Sequence, residues 1–262
     1  MSAAAHQPQL IVGDPRPGIR LLTLNRPDAR NALSTSLLTG IAVALDSVRE
    51  DDAVRCVVIT GGDTVFSAGA DIKELAKRTS AAAIVDVRPN LWDRIRKFPK
   101  PLIAAVNGYA LGGGCELAML CDITVAGAGA AFGQPEVNLG ILPAAGGTQR
   151  LVRLAGRQLA MKWVMTGTHI EAREARAAGV VAEVVADDQT LERALALAEV
   201  IAEKPPLAVR LAKEVLNAAQ DAPLEAGLAL EHKACAALLA TADFNEGVAA
   251  FLEKRRPKFQ GR

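Results

Sequence analysis

The stretch Pro101-Leu102-Ile103-Ala104-Ala105-Val106-Asn107-Gly108-Tyr109-Ala110-Leu111-Gly112-Gly113-Gly114-Cys115-Glu116-Leu117 decides how the chain is built. Its first six residues form a short apolar run of the kind carried by a strand buried on both faces. Three glycines then open a helix, and Glu116, three residues beyond Gly113, stays within its first turn. Such a helix start presents unpaired backbone N–H groups and the positive end of the helix dipole.

The same order of strand, glycine-rich turn and helix occurs upstream. Cys56-Val57-Val58-Ile59-Thr60 reads as a buried strand stopped by Gly61-Gly62. The loop Phe66-Ser67-Ala68-Gly69-Ala70-Asp71-Ile72-Lys73 follows, with small residues that let a ligand approach the backbone and Asp71 placed to cap a helix. A helix is expected over 82–97, with Pro89 in its early part. Before this, 10–12 and 19–24 read as strands, and Ser34 or Ser36 caps a helix reaching to about 49. After it, 123–126 and 131–133 read as strands. From Leu154 onward the pattern is mostly helical, with helices expected over 190–203, 206–219, 224–240 and 244–255. The alternation predicts a layered α/β fold, with a core over 1–195 and a C-terminal helical region over 196–262. The Ala/Leu faces of the last helices suit packing on a neighbouring subunit.

Composition narrows the function classes. The 262 residues suit one α/β domain with a helical appendage. No apolar run approaches the roughly eighteen residues of a membrane span. Met1-Ser2-Ala3-Ala4-Ala5-His6 lacks a basic segment followed by an apolar stretch, so a cytoplasmic location is expected, and residues 1–9 are expected to fray. A formal net charge of +1 gives no global argument for nucleic acid. Cys56, Cys115, Cys121 and Cys235 form no C-x-x-C and read as buried, reduced thiols. His6, His169 and His232 are scattered. The sequence contains no G-x-S-x-G, H-E-x-x-H, P-loop or G-x-G-x-x-G, which argues against serine or zinc hydrolysis and against nucleotide binding in those modes.

Two carboxylates carry the chemistry. Glu116 lies beside the glycine triplet, and Glu136 ends the stretch Phe132-Gly133-Gln134-Pro135-Glu136, twenty positions later. An N–H at Gly113 or Gly114, with a second from the Ala68–Ala70 loop, suits a thioester carbonyl on its way to an enolate. A pair of carboxylates beside it suits acid/base work, provided the intervening strand returns the chain to the same place. The residues alone leave a plainer alternative open: glycine triplets serve tight helix–strand packing, and a first-turn glutamate is a common dipole partner. Arg150, Arg153 and Lys73 read as solvated charges, and Trp92 and Trp163 as core.

The motifs resemble a known family. The loop at 66–73, the stretch 107–122, the stretch 132–136 and Gly146-Gly147-Thr148-Gln149-Arg150 resemble, in order and spacing, the enoyl-CoA hydratase/isomerase (crotonase) superfamily from about Leu21 to the C-terminus. The resemblance implies a spiral of strand–strand–helix units followed by helices that build homotrimers, commonly stacked as hexamers. It implies Glu116 and Glu136 as the catalytic carboxylates and Ala70 and Gly113 as the oxyanion N–H donors. It implies that Ala68, Asp71, Ile72 and Lys73 line the CoA arm, that Lys254 reaches CoA from the C-terminal region, often of a neighbouring subunit, and that Gln134 lies near the carboxylates. CoA arrives with the acyl substrate, and no metal or further cofactor is implied. Both glutamates are present, which favours hydration over double-bond isomerisation.

Val87-Arg88-Pro89-Asn90-Leu91-Trp92 and the ending 251–262 resemble family members that act in phenylacetate degradation on an acyl chain ending in a second carboxylate. Arg88 is the candidate to meet that carboxylate, against the plainer expectation of a solvated or helix-end residue. Two positions depart from the family pattern. Ala144 stands where many members have glycine, and Cys235 where some have an aromatic against the adenine. An RNA-binding function, known among such relatives on a lysine-rich helix, would have to use the modest cluster Arg94, Arg96, Lys97 and Lys100.

Overall fold

The computed structural model describes residues 7–262; the expectations for residues 1–6 lie outside the described residues. Strands β1 (Leu10–Arg16) and β2 (Gly18–Leu24) form an antiparallel pair. Helix α1 (Thr35–Ser47) follows, capped by Ser34, whose Oγ accepts the Leu37 N–H at 3.2 Å. Strands β3 (Val54–Thr60) and β4 (Val65–Ser67) lead to three short helices: α2 (Ile72–Leu75), α3 (Ser80–Ile84) and α4 (Arg88–Arg96).

The single helix expected over 82–97 is therefore two. Pro89 has no N–H and fits only a helix's first turn, which is where α4 places it. The Thr79 hydroxyl caps α3, and the Asp86 carboxylate accepts the Arg88 N–H at 3.0 Å where α4 starts.

Next come β5 (Leu102–Val106), β6 (Tyr109–Leu111) and α5 (Gly113–Leu120). Strands β7 (Ile123–Gly127) and β8 (Ala131–Gly133), a 3-10 turn over Pro135–Leu139 and α6 (Gly147–Thr166) follow. The chain then forms β9 (His169–Glu171), α7 (Ala172–Ala177), β10 (Glu183–Val185) and α8 (Thr190–Ala202). Helices α9 (Pro206–Ala218), α10 (Leu224–Leu238) and α11 (Ala242–Leu252) complete it.

The strands form two sheets, ordered β1-β2-β3-β5-β7-β10 and β4-β6-β8-β9. Three successive units place their first strand in the larger sheet and their second in the smaller one. Thus β3, β5 and β7 pair in parallel through Val57↔Leu102 and Ile103↔Ile123, while β4, β6 and β8 pair through Val65↔Tyr109 and Tyr109↔Ala131. A helical segment closes each unit, so the chain winds as the spiral of strand–strand–helix units that the sequence motifs imply.

Both faces of the larger sheet are covered, which explains its unbroken apolar runs. Ile59, Leu102 and Ala104 face a core that includes Leu38, Ile41, Phe66, Phe132 and Trp163. Val58, Ile103 and Val125 face α8 through Ala194, Leu195 and Ala198. The division expected between residues 195 and 196 thus falls inside α8; after Ala202 the helices α9 and α10 bury no residue in the chain itself. Strands β9 and β10 interrupt the part of the chain read as mostly helical. Three residues are too few to show an alternating pattern, and their place is set by pairing with β8 and β7.

Among the described residues no single helix is long and apolar enough to cross a membrane. Trp163 is fully buried and Trp92 half-buried against the same core. Cys56, Cys115 and Cys121 are buried free thiols, whereas Cys235 is exposed on α10, contrary to the expectation for all four.

Candidate active site

The pairing of β6 with β8 brings the two glutamates together. Leu111 lies opposite Gly133, and the Gly112 N–H donates to the Gly133 carbonyl at 2.8 Å. The segments that leave these adjacent strands, Gly112 to Glu116 and Gln134 to Glu136, therefore emerge side by side. A Cβ added to Gly112 would stand 2.8 Å from Glu136 Oε1. Gly112 also has φ 49° and ψ −124°, a conformation that a side chain would strain.

The three glycines divide the work. Gly112 turns the chain, and Gly114 packs so closely that a Cβ there would lie 2.4 Å from the Ser67 carbonyl oxygen. Gly113 is the first helical residue, so its N–H has no partner within the helix. Both roles that the sequence left open, packing and donor presentation, are present in the one triplet.

Glu116 is only 3% exposed. Its Oε1 accepts the N–H groups of Ala145 at 2.7 Å and Gly147 at 2.8 Å. Arg150 holds that loop from below, donating from Nη1 to the Ala145 carbonyl at 2.9 Å. Arg150 is thus a half-buried support rather than the solvated charge expected, while Arg153 meets the expectation by pairing with Asp221 at the surface. The sequence marked 146–150 as a family motif without revealing its grip on Glu116. Ala144, the departure from the family run, is exposed.

Glu136 begins the 3-10 turn. Gln134 is fully buried, and with its amide assigned so that the nitrogen faces Glu136 it donates to both Glu136 oxygens at 3.2 Å. Burial pushes the Glu136 carboxyl up to about 7; its own backbone N–H opposes the rise and the Glu116 charge adds to it. Burial also raises Glu116, opposed by the Gly147 and Ala145 N–H groups and by the charges of Arg150 and Arg88.

Ala70 and Gly113 also converge. A Cβ on Gly113 would lie 3.8 Å from the Ala70 nitrogen and 3.5 Å from Leu33 Cδ1. The Leu33 N–H donates to the Gly69 carbonyl at 2.7 Å, and Leu33 bridges to Ala70. Gly69, at φ 110°, makes the turn that leads into Ala70. Among the described residues neither the Ala70 N–H nor the Gly113 N–H has a backbone acceptor, and the two lie close together.

The rest of the loop is fixed by its own contacts. The Ala68 N–H donates to the Arg30 carbonyl at 2.9 Å. Asp71 is buried; it caps α2 by accepting the Lys73 N–H at 3.0 Å, and pairs with Arg26 Nη2 at 2.8 Å. The Arg26 hydrogen bond holds the Asp71 carboxyl below its ordinary value. Ile72 and Lys73 are exposed at the start of α2. Lys254 is exposed beyond α11, in a left-handed conformation at φ 55°.

Arg88 stands at the first position of α4, the helix-end place expected, and is half-buried there with its side chain 13% exposed. Nη2 donates to the Leu33 carbonyl at 3.2 Å, and Nη1 approaches Glu74 Oε2 at 3.4 Å. The basic cluster weighed for RNA is neutralised. Arg94 pairs with Asp46 at 2.5 Å, and Arg96 and Lys97 both pair with Asp93. Lys100 is buried, donating to the carbonyls of Val48, Asp51 and Val54 at 2.7–2.8 Å. Among the described residues no group of three His, Cys, Asp or Glu side chains is placed to hold a metal ion.

Known proteins match this arrangement along nearly the whole chain. The family model described as "Enoyl-CoA hydratase/isomerase" matches residues 15–262. A protein of Escherichia coli (strain K12) named 2,3-dehydroadipyl-CoA hydratase is 52% identical over 244 residues, 93% of this chain and 96% of the relative. A mitochondrial enoyl-CoA hydratase of Pongo abelii is 46% identical over 92% of this chain and 83% of its own. The crystal structure of an enoyl-CoA hydratase from Bacillus anthracis superposes with a TM-score of 0.93 at 38% identity, covering 97% of this chain and all of that one. None of these names lends support to RNA binding. The chain belongs to the enoyl-CoA hydratase/isomerase family.

Proposed function

We propose that the protein is an enoyl-CoA hydratase, adding water across the 2,3 double bond of a 2-enoyl-CoA to give a 3-hydroxyacyl-CoA. The observation that carries this reading is the carboxylate pair, Glu116 buried and Glu136 half-buried with its carboxyl pushed up to about 7, beside the Ala70 and Gly113 N–H groups. The thioester oxygen sits between those two donors, which draws electron density from the β-carbon. Water held by Glu116 and Glu136 attacks that carbon. A carbon–oxygen bond forms, the π electrons move toward the thioester as an enolate, and one water proton passes to Glu116. Glu136 delivers its proton to the α-carbon. With Oε1 fixed by two N–H groups, Glu116 is better held as the anion, while Glu136 near 7 is suited to donate. The carboxylates act as a coupled pair, so their titration belongs to both.

A six-carbon enoyl chain ending in a carboxylate, as in phenylacetate degradation, is the substrate we favour; the name of the Escherichia coli relative supports it. CoA enters as part of the substrate, and the acid–base step needs no further cofactor. Lys73, exposed on the Ala68–Lys73 loop, and Lys254 are the candidates to meet the CoA arm. The exposed Leu216, Leu224, Phe251 and Leu252 on α9–α11 support a homotrimer or a hexamer of stacked trimers. Four free cysteines accord with a reducing compartment such as the cytoplasm.

The test is loss of the conjugated enone absorbance on mixing the protein with 2-enoyl-CoA thioesters. No loss with short, medium or dicarboxylic chains overturns the hydratase reading. Conversion of a 3-enoyl-CoA to its 2-enoyl isomer without hydration would favour isomerisation instead.

A further inference from the structure

We infer that Arg88 anchors the terminal carboxylate of a dicarboxylic acyl chain and so sets the preference of this site among enoyl-CoA thioesters. The inference rests on the acyl-CoA reading above and names the residue that selects the acyl group.

Three observations carry it. The first is burial. A guanidinium drawn largely out of water is held by the anions and acceptors around it, and donors left over remain available to a ligand. Arg88 has five N–H donors, and among the described residues its guanidinium makes two hydrogen bonds, to Leu33 O and Glu74 Oε2. The second is the loose hold of Glu74. Its carboxylate is committed to Thr35, accepting the N–H at 2.9 Å and the hydroxyl at 2.8 Å, and it meets Arg88 only at 3.4 Å. Burial and the neighbouring Arg78 charge push the Arg88 guanidinium below its ordinary value, against the opposing charges of Glu74, Asp71 and Glu116. Asp86, the other carboxylate on this segment, is paired with Arg78 and gives Arg88 only a cap for its backbone N–H.

The third is position. Arg88 holds the carbonyl of Leu33, whose Cδ1 packs against Gly113 and whose backbone bridges to Ala70. From the β-carbon of a six-carbon chain to its terminal carboxylate is three carbon–carbon bonds, about 4 Å when extended. The inference places that carboxylate against the guanidinium held beside Leu33. A planar guanidinium with free donors suits bidentate capture of a carboxylate.

The test uses saturated thioesters, which bind without reacting. The protein should bind adipyl-CoA about ten- to a hundred-fold more tightly than hexanoyl-CoA by calorimetry, the range of a charge-assisted hydrogen-bonded contact. Arg88→Gln should bring that ratio close to one, and Arg88→Lys should restore part of it. In turnover, the ratio of kcat/KM for 2,3-dehydroadipyl-CoA over 2-hexenoyl-CoA should fall in parallel, mainly through KM. No preference for adipyl-CoA in the unaltered protein overturns the inference. Equal weakening of both thioesters by Arg88→Gln also overturns it, and makes Arg88 a support for the Leu33 backbone. If neither enoyl thioester is hydrated but the adipyl-CoA preference exists and collapses in Arg88→Gln, the anchor stands and the hydratase reading falls.

Discussion

The backbone N–H of Gly147 donates to Glu116 Oε1 at 2.8 Å, so one oxygen of this buried carboxylate is fixed from the start of α6. The remaining oxygen is directed by that constraint. In Glu116→Gln the amide oxygen can keep the same two backbone donors while the charge is lost, so the fold should survive. Turnover of a 2-enoyl-CoA should fall by about 10²–10⁴-fold in Glu116→Gln and in Glu136→Gln, the range for general acid/base groups. Thioester binding should change far less. Steady-state kinetics beside calorimetry with a saturated thioester checks this, and near-unaltered turnover in either variant removes that residue from the reaction.

Glu136 gives two pH signatures. As the proton donor it must be protonated, so kcat/KM should decline as pH rises through about 7. Stability follows the same group. Its folded value lies above its ordinary 4.5, so the folded state binds the proton more tightly than the unfolded chain. The associated stability is present below about 4.5 and is lost as pH rises through about 7. Glu136→Gln should therefore raise Tm relative to the unaltered protein more at pH 8 than at pH 5. Equal shifts at both pH values would contradict the raised carboxyl.

Gly112→Ala should impair the reaction by displacing Glu136. The new Cβ would lie 2.8 Å from Oε1, and the positive φ would add backbone strain. A fall in kcat of about tenfold or more is expected, from misplacement of the acid alone. The check is kcat alongside Tm; a variant that only melts earlier, with kcat unchanged, would show that Glu136 tolerates the shift.

Asp71→Ala removes the cap of α2 and leaves the Arg26 guanidinium without its carboxylate. A loss of about 1–3 kcal/mol in unfolding free energy is expected from the cap and the charged hydrogen bond together. Because Ala70 precedes Asp71, KM for enoyl-CoA should rise as well. Denaturant unfolding and kinetics read the two effects separately.

Strands β3, β5 and β7 were legible in the sequence because burial on both faces leaves unbroken apolar runs. Ser34, one of two serines offered as a cap, marked a helix start through chemistry confined to one turn, whereas Pro89 inside an expected helix was the sign of a break that the reading passed over. Convergence of Glu116 with Glu136 was not legible, because it depends on the pairing of Leu111 with Gly133, a contact between segments whose local patterns carry no record of each other. The hold of Ala145 and Gly147 on Glu116 was hidden for a similar reason: backbone donors have no residue identity. Arg88 is the helix-end residue that the sequence allowed, but nothing nearby in sequence announces that its guanidinium will meet the Leu33 carbonyl.

The four cysteines differ enough to act as a built-in reporter. Burial pushes the Cys56 and Cys115 thiols up to about 12 and raises Cys121 likewise, so none of the three offers thiolate at neutral pH. Cys235 is exposed on α10 and borders an apolar cavity of about 490 Å³ with Phe244, Phe251 and Phe259. A thiol-reactive fluorophore would thus attach at one place without any engineering of the chain. Its emission would then follow the wetting or covering of the C-terminal helices while the catalytic half of the protein stays unlabelled.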